Sequence, residues 1–111
     1  MLVYTFFTTI VSALTLSLVA AKTVTVTVTN FKFNPAQLTI SRGDTVNWVF
    51  VDGGHNVVPG VNCQAGTMVL HPALSTPGEK FQYQFNQAGT FPYFCHPHCL
   101  PFNMKASITV K

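Results

Sequence analysis

The stretch TVTVTVT, residues 23–29, decides the class of fold. Valine and threonine alternate with period two, so Val24, Val26 and Val28 fall on one face of an extended strand and the threonines on the other. Both residues are β-branched, which suits a pleated strand better than a helix. Later segments repeat the pattern. FKFNPAQLTI, residues 31–40, sets Phe31 and Phe33 on a common face and bends at Asn34-Pro35. TVNWVFV, residues 45–51, is rich in strand formers and lies between two turn clusters, Ser41 to Asp44 and Asp52-Gly53-Gly54. EKFQYQF, residues 79–85, aligns Phe81, Tyr83 and Phe85, and TFPYFC, residues 90–95, is a second aromatic run. MKASITV, residues 104–110, alternates Met104, Ala106, Ile108 and Val110 with Lys105, Ser107 and Thr109. Residues 59–78 show no clear period and read as a long loop with one short element. No helical stripe occurs beyond residue 21. Short strands with turns at roughly 8–12-residue spacing predict an all-β sandwich or barrel of about seven or eight strands. Phe31, Phe33, Trp48, Phe81, Tyr83, Phe85, Phe91 and Tyr93 are its expected core.

Upstream of the first strand, residues 2–21 carry no charge. Thr5, Thr8, Thr9, Ser12, Thr15 and Ser17 dilute this run, and it ends in small residues. That pattern suits a signal peptide cleaved after Ala20 or Ala21 better than a span of about 20 predominantly apolar residues. The expected division is a signal peptide at 1–21 and one domain at 22–111. The expected compartment is extracellular or periplasmic, with membrane contact only if the segment stays uncleaved. A chain of 111 residues fits one domain, and a monomer is expected. Its net charge of +3 is too mild and scattered for nucleic acid, and it slightly favours acidic partners. Three cysteines allow one disulfide and leave one thiol that is reactive or metal-bound.

Four groups with metal affinity stand in informative places. His55 follows the TVNWVFV strand across a Gly-Gly bend, Cys95 ends the FPYF strand, His98 follows across Pro97, and Met104 begins the last strand. One thiolate, two imidazoles and a weak thioether are the donors of a blue-copper electron-transfer site. His71, beside Pro72, reads as a surface residue, and His96, next to a ligand on a tight loop, reads as exposed.

These segments, in this order, resemble the cupredoxins, the plastocyanin and azurin superfamily of small blue copper proteins. The resemblance rests on FKFNPAQLTISRGDTVNW, HNVV, GTFPYFCHPHC and SITV, and it covers nearly all of residues 23–111. It implies a Greek-key β-sandwich and one copper ion held by His55, Cys95, His98 and Met104. It implies a secreted type 1 copper protein that carries single electrons and is not an enzyme. A copper carrier on the same fold, without fast electron exchange, is the alternative. The resemblance to the phytocyanin branch implies a Cys63–Cys99 disulfide. It also implies that Asn56 ties the two ligand loops together. Leu100, Pro101 and Phe102 around His98 would form the docking patch for a redox partner, with the imidazole edge as the electron exit.

The chain departs from the family at its last ligand. Met104 lies six residues after His98 where five is usual, and Asn103 replaces the glycine before it. Asparagine tolerates a left-handed backbone better than most residues. Pro97 has no N–H, so it cannot donate to the Cys95 sulfur. Rival chemistries lack their parts. A structural zinc site wants a second ligand pair, and a two-copper centre wants a histidine where Asn103 stands. Hydrolysis would have to use Asp44, Asp52 or Glu79, the only carboxylates, and no Ser/His/Asp arrangement accompanies them.

Overall fold

The alternation of the first strand becomes burial: Val26 and Val28 are fully enclosed, while the threonines between them are half-buried or exposed. The computed structural model describes residues 20–111. The signal-peptide reading lies outside the described residues except for Ala20 and Ala21, which are exposed. The strands are β1 (Thr23–Thr29), β2 (Lys32–Asn34), β3 (Gln37–Ile40), β4 (Thr45–Phe50), β5 (Val58–Val61), β6 (Gln64–Ala65), β7 (Lys80–Gln84), β8 (Gly89–Phe94) and β9 (Lys105–Val110). One helix, α1 (His96–Phe102), separates β8 from β9. The two strands beyond the expected seven or so include β2 and β6, of three and two residues, too short to show a period.

The strands form a sandwich of two sheets, in the orders β2-β1-β4-β7 and β3-β9-β8-β5-β6. β1 runs parallel to β4, with Val26 beside Trp48, and β3 runs parallel to β9, with Ile40 beside Val110. The other pairings are antiparallel. Between the sheets lie Val26, Val28, Phe33, Val46, Trp48, Phe50, Phe85, Tyr93 and Ile108. Each large apolar side chain so enclosed contributes about 1.5–3 kcal/mol. The Trp48 indole N–H donates to the Tyr93 hydroxyl at 3.2 Å, so β4 and β8 are joined across the core by a satisfied polar contact. Among the described residues, no helix is long and apolar enough to cross a membrane.

Three local expectations are corrected. Phe31 is not core: it and Asn30 form a two-residue hairpin turn with φ of 57° and 52°, between paired Thr29 and Lys32, and its ring is exposed. Both residues therefore sit in the left-handed region that such turns demand. Tyr83 is also exposed, because β7 is an edge strand with little of its surface covered; Phe85, just past that strand, is buried. The third correction is α1 itself. Seven residues with Pro97 in the first turn and Pro101 inside are too few to show a stripe, and prolines in the sequence argue against a helix.

The same topology gathers one end of the sandwich. Val58 pairs with Phe94, so the chain just before β5 runs beside the chain just after β8. Lys105 also pairs with Phe94, which brings the start of β9 to the same place. His55, Cys95, α1 and Met104 thus come together by strand register.

Candidate metal centre

Cys95 follows the last residue of β8 and is fully buried. Its N–H donates to the Met104 carbonyl at 3.0 Å, and the Met104 N–H donates to the His98 carbonyl at 3.3 Å. The whole Cys95–Met104 loop is therefore closed on itself by backbone bonds. Asn103 ends α1 in the left-handed conformation, with φ of 54°. The longer loop is accommodated as one short helix with an asparagine stop. Met104 is buried at its base.

Three donor atoms meet here. Nδ1 of His98 lies 3.4 Å and Nδ1 of His55 lies 3.8 Å from the Cys95 sulfur. The ligand atoms of all three residues lie within 4.8 Å of one another. His55 and Cys95 are buried and His98 is half-buried. Among the described residues this is the one cluster of its kind. A single sulfur and two imidazole nitrogens suit copper in both oxidation states, and they fall short of the four closed ligands of a structural zinc site. The donor set therefore fits the metal that the sequence implies.

The groups behind the donors fix their aim. The ring of His55 is held by Asp52, whose Oδ1 lies 2.8 Å from Nε2. A proton on Nε2 donates to that carboxylate and leaves the Nδ1 lone pair free to face the sulfur. Asp52 is itself set by the Asn30 N–H at 3.1 Å and the Thr29 hydroxyl at 3.4 Å. Desolvation pushes its carboxyl up, but the Asn30 N–H and the His55 ring outweigh that and hold it below its ordinary value. Ser75 holds the His55 backbone: its hydroxyl accepts the His55 N–H at 3.2 Å, and its own N–H donates to the His55 carbonyl at 2.7 Å. Burial pushes the Cys95 thiol up, and the N–H dipoles of Asn56 and His98 act against that rise. Burial, followed by the neighbouring His55, lowers the pKa of His98.

Asn56 joins three segments. Its Oδ1 accepts the His96 N–H at 2.7 Å, and its Nδ2 donates to the Pro72 carbonyl at 3.1 Å. Cys63 and Cys99 form a disulfide with a Cα separation of 5.7 Å, linking the β5–β6 hairpin to α1. Closing that loop of 36 residues contributes about 4 kcal/mol in the chain-entropy model. Pro97 and His96 are exposed. His71 is corrected. Instead of lying on the surface it packs against Phe50 and Phe81, pairs its backbone with Val57, and meets the Glu79 carboxylate through Nε2. A histidine beside Pro72 in a segment without a clear period gave no sign of this, because its partner Glu79 lies eight residues on.

Around His98 the surface is apolar. Leu100 is 85% exposed and Phe102 53% exposed. Phe31 stacks on Phe102 with centroids 4.1 Å apart and meets the His98 ring edge-on at 4.8 Å. The sequence reading missed Asp52, Ser75 and the place of Phe31. Asp52 left one signal, a carboxylate three residues before the clustered His55 in a chain with only three acidic side chains.

Known proteins resemble this chain in sequence and in fold. A sequence profile described as "Copper binding proteins, plastocyanin/azurin family" matches residues 20–111. Plastocyanin of Scenedesmus fuscus is 39% identical over 87 residues, which cover 71% of this chain and 86% of that protein. Amicyanin of Paracoccus versutus is 32% identical over 96 residues, covering 84% of this chain and 68% of that protein. The crystal structure of amicyanin from Paracoccus versutus superposes with a TM-score of 0.64 and 31% identity over 80% of this chain and 81% of that one. In sequence and in fold, the chain belongs to the plastocyanin/azurin family of copper-binding proteins.

Proposed function

We propose that this protein is a blue copper electron carrier in which His55, Cys95 and His98 hold one copper ion and Met104 is a fourth, weak ligand. The observation that carries the reading is the convergence of one sulfur and two imidazole nitrogens within 4.8 Å. When bound, copper supplies a centre that gains and loses one electron without exchanging protons or atoms with a substrate. The rest is done by the chain. Asp52 and Ser75 hold His55 from the ring and from the backbone. Asn56 and the Cys63–Cys99 disulfide brace the loop that bears Cys95 and His98. Donors held this firmly move little when the charge between them changes, which keeps the reorganisation cost low. Support for Met104 comes from its burial and its backbone bond to Cys95.

His98 is the half-buried donor, and Leu100, Pro101 and Phe102 beside it offer a surface on which a redox partner docks. The disulfide fits an oxidising compartment, so the protein works outside the cytosol after loss of residues 1–21. The test is voltammetry of the copper-loaded protein. The reading expects a reversible one-electron wave with fast exchange. Tight copper binding with sluggish exchange would instead make it a copper carrier.

A further inference from the structure

Every carboxylate of this chain is engaged internally. Asp44 accepts the backbone N–H groups of Ser41 and Lys22, Asp52 accepts Asn30 and faces His55, and Glu79 accepts Thr76 and faces His71. The two salt bridges among the described residues both use histidine, so none of the six lysines and arginines has an acidic partner. Strand register sets Lys80 beside Val49 on the edge strand β7 and divides the other five cations between the ends of the sandwich. Lys22 and Arg42 lie at the far end, where the Arg42 N–H donates to the carbonyl of Lys111. At the metal end, Lys32 is paired with Thr29 and Lys105 with Phe94.

Lys32 and Lys105 share one feature. With Asn30, Phe31, Phe33 and Phe102 they line an open groove of about 450 Å³ whose lining includes no carboxylate. Two of its wall residues touch the electron exit: Phe31 and Phe102 lie 4.8 and 5.9 Å from the His98 ring, centroid to centroid.

We propose that this groove receives an acidic partner protein, with carboxylates on the partner meeting Lys32 and Lys105 while its apolar surface covers Phe31 and Phe102. This rests on the electron-carrier reading and adds to it the charge of the partner. An unpaired ammonium attracts a carboxylate before contact, and attraction beside the exit both speeds encounter and selects the productive orientation. The aromatic wall supplies apolar area that excludes water once the two surfaces meet.

The test compares two double variants of equal charge. Lys32→Gln with Lys105→Gln empties the groove of cations; Lys22→Gln with Lys111→Gln removes as much charge from the far end. Reduced protein is mixed with hexacyanoferrate(III), which takes one electron and becomes hexacyanoferrate(II), and in parallel with the cationic tris(phenanthroline)cobalt(III). The groove variant should lose about threefold to tenfold in rate with the anion at low ionic strength, while the far-end variant loses little. The cobalt complex should show no such loss. Equal effects of the two variants, or a rate indifferent to salt, would overturn the proposal. A second readout needs no copper: amide shifts of the metal-free, disulfide-intact protein titrated with a glutamate-rich peptide containing phenylalanine. Shifts centred on Lys32, Phe31, Phe102 and Lys105 support the groove, and shifts centred on Arg42 and Lys111 refute it. If the loaded protein exchanges electrons with neither complex, the carrier reading fails, and the peptide map then decides the surface alone.

Discussion

Asp52 and His55 lie three residues apart, and the carboxylate of the first meets the ring of the second at 2.8 Å. The contact sets which nitrogen carries the proton and so which lone pair faces the Cys95 sulfur. Groups that orient a ligand histidine commonly account for about 10–100-fold in metal affinity. Asp52→Ala should therefore weaken copper binding by about that factor, and Asp52→Asn by less, since an amide oxygen still accepts the ring N–H. Competition against a chelator of known strength measures both. Unchanged affinity in the alanine variant would remove Asp52 from the account.

Asn56 ties the loop bearing Cys95 to the segment at Pro72. Asn56→Ala leaves the His96 N–H and the Pro72 carbonyl without this partner in a partly buried setting. An orphaned group of that kind costs about 1–3 kcal/mol. Denaturant unfolding of the metal-free protein should report a loss in that range, and a loss near zero would mean that water replaces the amide freely.

Cys95 is the N-cap of α1, and a cap side chain receives N–H groups from the second and third helical residues. The second is Pro97, which has none. Pro97→Ala supplies one, and a donor to the sulfur favours Cu(I). The midpoint potential should rise, by roughly 40 mV for a hydrogen bond of about 1 kcal/mol and one electron. A fall, or no change, in voltammetry contradicts this.

Asp44 and Glu79 lie away from the donors and lend themselves to a test by pH. The N–H groups of Ser41 and Lys22 hold the Asp44 carboxyl below its ordinary value; the Thr76 N–H does the same for Glu79, against some desolvation and with help from His71. A depressed folded pKa contributes stability that is fully present above the unfolded value, about 4, and is lost as pH falls through the folded value. The share of thermal stability owed to these two carboxylates should be constant from neutral pH down to about 5 and be lost below about 4. Asp44→Asn should flatten part of that loss. A midpoint as pH-dependent in the variant as in the parent would place the acid sensitivity elsewhere.

The sequence carried the strands because their signal is local: Val26, Val28, Trp48 and Ile108 stand at alternate positions and all turn inward. The three clustered side chains were legible for a different reason: Cys95 and His98 occur within one short loop and, like His55, are residue types with few other uses. What stayed hidden depends on distance in the chain. Phe31 looked like core until the turn at Asn30 placed it over His98. Tyr83 obeys the alternation, yet its strand is an edge. α1 is too short and too rich in proline to declare itself. Ser75 reaches His55 across twenty residues, and no period links them.

The central claim is that Cys95 and two imidazoles bind one copper ion. Cu(II) is added to the protein with the Cys63–Cys99 disulfide intact, and the visible spectrum is followed to saturation. The account predicts an intense blue thiolate-to-copper absorption that saturates at one equivalent and is absent in Cys95→Ser. A protein that stays colourless, or whose colour survives loss of the Cys95 thiol, contradicts it.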